Sequence, residues 1–168
     1  MATHGLPTWP WAQDPADALP RPERLLLDGM RLWLAAVRNG HAPLPAMRAP
    51  FVAEDAGAAL VPLDALLRGA VAHRPLPGFG CPLCPRVTEE EALLLLGCAL
   101  AQRGAPREAV AAFLRWLPLA GACAALPQAV RLGTVLRGAG LLLRSPLRRA
   151  GTARPWPLPL PPASPRSP

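Results

Sequence analysis

The chain has 168 residues, of which 51% are apolar, and a formal net charge of +7 in which all 18 basic residues are Arg. That length accommodates one domain with tails. No apolar stretch approaches the ~20 residues of a membrane-spanning helix, and the first 20 residues lack a signal's basic region and apolar run, so a cytoplasmic protein with reduced cysteines is expected.

Ala and Leu supply the apolar content; Ile and Tyr are absent and Asn occurs once, which points to a GC-rich genome. Most of the 24 prolines lie before Arg24, between Pro43 and Pro62, or after Ser145. They divide the chain into a disordered Pro/Trp arm at 1–21, a helical domain at 22–143 and a disordered basic Pro-rich tail at 144–168. Through Leu143, 13 Arg oppose 11 acids; Arg144, Arg148, Arg149, Arg154 and Arg166 follow with no acid among them. A nearly neutral body argues against a folded nucleic-acid-binding face.

In the arm, Trp9-Pro10-Trp11 reads as tryptophans resting on the domain, or as a short recognition peptide. The first helix is expected from Pro22 to about Arg38. Leu26, Met30, Trp33 and Val37 form its apolar stripe, and Arg24, Asp28, Arg31 and Arg38 its wet side. Asn39-Gly40 stops it. From Pro43 to Asp55, Leu44, Met47 and Phe51 have weak helical spacing that three prolines break. A better helix follows from Ala58 to His73, with Leu60, Leu63, Leu66, Leu67 and Val71 inside and an Asp64–Arg68 pair outside.

His73 to Val87 is a Pro/Gly-rich loop containing Cys81-Pro82-Leu83-Cys84. Then comes the best-specified part of the chain, a helical hairpin. Thr88 and Glu91 have the spacing of a capping box, and Glu89, Glu90 and Glu91 complement the helix dipole. Ala92 to Ala101 carries no polar side chain, so the helix is expected to be buried on several sides. Gly104 suits the left-handed C′ position and Pro106 opens the second helix. There Val110, Phe113, Leu114 and Leu117 face inward, and Pro118 closes it. Leu119 to Leu126 reads as a linker or short turn. Pro127 opens a last helix to about Leu143, in which Gly133, Gly138 and Gly140 each cost ~1 kcal/mol relative to Ala and mark close packing. The fold class is therefore all-α, a small bundle of about five helices with disordered ends.

The hairpin, residues 90–123, resembles a single tetratricopeptide repeat. Leu96-Gly97, Leu100, Gly104, Ala109 and Phe113 fall at that family's spacing, whereas Leu93 and Trp116 stand where it prefers Trp and a small residue. The resemblance implies protein or peptide binding on the inner helix face, not catalysis.

Cys81 and Cys84 have the spacing to hold one tetrahedral zinc ion, with His73 or Cys98 completing it. Zinc is the one metal the spacing would take; no cofactor is otherwise expected. As a redox pair, Cys-Pro-Leu-Cys lacks a preceding strand and lies too far ahead of the helix for its dipole to acidify a thiol. Ordinary thiols are the favoured reading, with Cys98 and Cys123 as small core hydrophobes. His4, His41 and His73 sit in loops without a carboxylate–His–nucleophile pattern, and no Gly-rich phosphate loop follows a strand. The expectation is a non-enzymatic interaction or assembly module with a protein partner, contacted through Arg107 and Arg115. The alternatives are a zinc- or thiol-dependent protein using Cys81 and Cys84, and a weak binder of nucleic acid or anionic surfaces through the Arg-rich tail.

Overall fold

The structure, a computed structural model, describes residues 10–73 and 78–144. The first nine residues and the tail beyond Arg144, with the surface-binding role read into it, lie outside the described residues. Among those described are six α-helices and no strand: α1 (Arg21–Arg38), α2 (Pro43–Ala53), α3 (Leu60–Val71), α4 (Glu89–Gln102), α5 (Pro106–Phe113) and α6 (Leu119–Gly138). The fold is an all-α bundle.

α4 forms the centre. Thr88 Oγ1 accepts the Glu91 N–H and the Glu91 carboxylate accepts the Thr88 N–H, so both halves of the capping box form. Every residue from Glu91 to Gln102 is buried. α5 and α6 cover two sides of it through glycines. A Cβ on Gly97 would stand 2.3 Å from Phe113 Cε1, and one on Gly133 would stand 2.8 Å from Gln102 Cα. Each glycine therefore sets a close helix crossing that Ala would push apart. α1 packs on α2 in the same way, with Gly29 beneath the Phe51 ring. α3 lies along α6.

Two proline-containing segments differ from the expectation. Pro43 to Ala53 is helical because Pro43 and Pro45 fall in the first turn, where N–H groups have no intrahelical partner. Pro50 sits inside α2 and leaves the carbonyl of exposed Ala46 to water. Likewise the last helix starts at Leu119, eight residues before Pro127, which lies inside it. Pro127 and Cys123, whose carbonyl loses its bond, are both exposed. α6 thus becomes long and apolar enough to meet the length and composition of a membrane span, but Ala129, Leu132 and Leu136 on one side of it belong to the core. α5 is shorter than expected and ends at Phe113; Leu117 is buried from the following turn, while Leu114 is exposed.

The ends of the domain are closed by backbone contacts. Within the stretch read as a disordered arm, residues 10–20 lie on the domain. Trp11, Ala16 and Leu19 are buried, and Gln13 and Ala16 donate to the Val87 and Pro85 carbonyls. Beyond α6, Gly140 turns the chain at φ +75°. The buried Gln102 amide then donates to the Gly133 and Leu141 carbonyls, and its oxygen accepts the Leu143 N–H. The Arg144 N–H reaches Glu23 at the start of α1.

Candidate functional site

The loop between α3 and α4 rests on a buried ion pair. Arg31, expected on the wet side of the first helix, is 1% exposed. Its Nε and Nη2 donate to the two Glu91 carboxylate oxygens at 2.8 and 3.0 Å, and both side chains are wholly out of solvent. The remaining donors reach the loop: Nη1 to the Cys84 carbonyl at 2.6 Å and Nη2 to the Arg86 carbonyl at 2.7 Å. Glu91 answers from the other side, accepting the Gly80 N–H at 2.9 Å. Burial pushes the Arg31 pKa down, but the hydrogen bond and charge of Glu91 outweigh it and hold the guanidinium above its ordinary range. A buried charge pair persists when its remaining hydrogen-bonding capacity is also satisfied, and here the loop backbone satisfies it.

Cys81 and Cys84 sit on this platform. The Cys84 N–H donates to the Cys81 carbonyl at 3.0 Å and closes the turn. The Cys81 N–H lies 2.9 Å from Cys84 Sγ, and the two sulfurs are 2.6 Å apart. Both thiols are free, with Cys81 exposed. The hydrogen bond between the two sulfurs holds Cys81 below the ordinary thiol range and pushes Cys84 above it. Leu83, between them, is 92% exposed. Cys84 opens on a cleft of ≈ 450 Å³ rimmed by Asp17, Arg24 and Arg86. Cys81 opens on a smaller hollow of ≈ 180 Å³ against α1, with Arg38 and Asn39 at its lip.

The other candidate residues are elsewhere. His73 Nδ1 is 2.9 Å from the Gly69 carbonyl, and its ring lies against Gly121 at the start of α6. Cys98 is buried in α4, where burial pushes its thiol up to about 12. Cys123, expected in the core, is exposed because the helix begins earlier than Pro127 and turns that position outward. Among the described residues, no group of three or more His, Cys, Asp or Glu side chains is placed to hold a metal ion. Arg107, in the first turn of α5, and Arg115, just after it, are both exposed.

A second surface had no signal in the sequence. α3 and α6 leave between them a groove of ≈ 440 Å³ lined by Ala58, Val61, Pro62, Val130 and Val135, with Gln128, Arg131 and Thr134 at its edge. Val61 is 67% exposed and Val130 41%. No acid is among the lining residues. By contrast, α4 is covered by α1, α5 and α6. Comparison with family descriptions, curated proteins and solved structures finds no match to this chain.

Proposed function

We propose that this chain is a helical protein-interaction module that receives an apolar segment of a partner in the groove between α3 and α6. The observation that carries this reading is the exposure of Val61 and Val130 across a concave, largely apolar surface. An isolated exposed valine needs no explanation, but a groove floored by valine, alanine and proline is the form that recognition sites for apolar segments take. Arg131 is the charged residue at its edge, so the fitting segment carries a carboxylate beside its apolar residues.

The test is a photo-crosslinking amino acid at position 130, with position 108 on exposed α5 as the control. A discrete adduct from position 130, absent from position 108 and lost on Arg131→Glu, is expected. Equal labelling from both positions would remove the support for the groove. An adduct lost instead on Arg107→Glu or Arg115→Glu would move the interface to α5 and refute the α3/α6 assignment.

A further inference from the structure

We propose that Cys81 and Cys84 form a dithiol–disulfide exchange site whose substrate is a small anionic disulfide. The proposal is independent of the α3/α6 groove and rests on the loop between α3 and α4.

The first support is preorganisation. Both flanks of the four-residue turn are anchored to one buried ion pair, Cys84 through its carbonyl on Arg31 and Gly80 through its N–H on Glu91. The sulfurs therefore stand 2.6 Å apart on a backbone that has little freedom left to lose when they bond.

The second support is asymmetry. Cys81 is the exposed sulfur and the one whose thiolate is favoured, whereas Cys84 is half-buried and its thiol is held protonated. Cys81 is thus the attacking sulfur and Cys84 the resolving one. The third is charge. The hollow beside Cys81 has Arg38 at its lip and no acid among its lining residues, while the Arg31 charge beneath it is already neutralised by Glu91. An anionic substituent on the disulfide is attracted there and a cationic one repelled.

The chemistry balances within the site and its substrate. The Cys81 thiolate attacks one sulfur of R–S–S–R; that bond breaks, and R–S⁻ leaves and takes up the proton Cys81 gave up. The Cys84 thiolate then attacks Cys81 Sγ in the mixed disulfide and expels the second R–S⁻, which is protonated in turn. Two protein thiols are oxidised to one disulfide and R–S–S–R is reduced to two R–SH.

The experiment uses the full chain carrying Cys123→Ser, which removes the other exposed thiol, with oxidised glutathione as the anionic probe and cystamine as the cationic one. Products are located by mass spectrometry of the digested protein. An intrachain Cys81–Cys84 disulfide is expected, formed faster with oxidised glutathione than with cystamine. Adding Cys84→Ser should trap glutathione on Cys81, whereas adding Cys81→Ser should slow reaction at Cys84 by about tenfold. In denaturant, where Cys98 is also open to reagent, the Cys81 and Cys84 sites located by digestion should react alike in the two variants, showing that the preference belongs to the fold. Equal rates for the two variants in the folded chain would overturn the proposal. So would a protein that keeps both thiols under excess oxidised glutathione, or one purified with one zinc per chain on unreactive cysteines.

Discussion

Replacing Arg31 by Met removes the guanidinium while keeping an unbranched stem of similar reach in α1. Four hydrogen bonds are lost: two to Glu91, one to the Cys84 carbonyl and one to the Arg86 carbonyl. Glu91 keeps the Thr88 and Gly80 N–H groups as donors, but its charge is left without a counterion where solvent does not reach. Breaking a buried pair in this way costs about 3–5 kcal/mol. The two carbonyls could add about 1–3 kcal/mol each if stranded, but Arg86 is exposed and Cys84 half-buried, so water can reach the loop and the ion-pair cost dominates. Glu91→Gln should cost a similar amount by leaving Arg31 buried and unpaired, while Gln still fits the capping box. The double variant strands no charge, so it should be less destabilised than the two singles added together by about 2–3 kcal/mol. Arg24→Met is the control: its pair with Asp28 is partly exposed on both sides and should contribute under about 0.5 kcal/mol. Urea unfolding followed by far-ultraviolet circular dichroism measures all four. The reasoning is refuted if Arg31→Met costs no more than Arg24→Met, or if the two substitutions at the buried pair simply add.

Two further predictions rest on packing and burial. Gly97→Ala drives a methyl group into the Phe113 ring and should destabilise by about 1–3 kcal/mol, whereas Gly69→Ala, in α3 with nothing within 4 Å of the new atom, should stabilise by about 0.5–1 kcal/mol; thermal melts of the pair give both signs. Because burial raises the Cys98 thiol from 9.0 to about 12, the folded chain keeps that proton after the unfolded chain has lost it. Stability from Cys98 is therefore complete below pH 9 and should fall by up to about 1.4 kcal/mol per pH unit between there and pH 12. With no Tyr or Lys in the chain to titrate over the same range, Cys98→Ala should flatten the slope, and an unchanged slope would show that the thiol is not desolvated.

What the sequence disclosed was local. Thr88 and Glu91, Gly104 at φ +76°, and Pro106 opening α5 are signals written within a few residues, and each stands where its pattern places it. Of the glycines expected to mark close packing, Gly133 packs against Gln102, whereas Gly138 and Gly140 have nothing within 4 Å of an added Cβ. Arg31 was misread because helical periodicity assigns every Arg to the solvent side. Its partner lies 60 residues away on α4, and nothing in α1 announces it. Glu91 shows the same limit from the other end: its capping role is legible, while its hold on Arg31 and Gly80 requires the folded chain. Prolines misled in the opposite direction. Pro50 read as a break and Pro127 as the start of a helix, yet exposed carbonyls one turn earlier let each helix run through its proline. The thiol pair was visible as a motif, but the buried platform that holds its sulfurs together was not. The α3/α6 groove was invisible, since Val61 and Val130 are ordinary apolar residues in any one-dimensional pattern.

The contact between Glu23 and Arg144 spans 121 positions, and the Gln102 amide holds three backbone groups between Gly133 and Leu143. A chain emerging from a ribosome can form the α4–α5 hairpin from neighbours in sequence, but the start of α1 must wait until residue 144 has cleared the exit tunnel. Loop closure over such a distance carries an entropic cost that only the late contacts offset, which slows folding relative to a bundle of purely local pairs. During that interval Glu23 remains hydrated and α1 has a loose N-terminus, so the last residues of the domain to be synthesised act as the latch on its first helix. A nascent chain stalled short of this point would hold a formed hairpin beside an α1 whose Glu23 has not yet met its backbone partner.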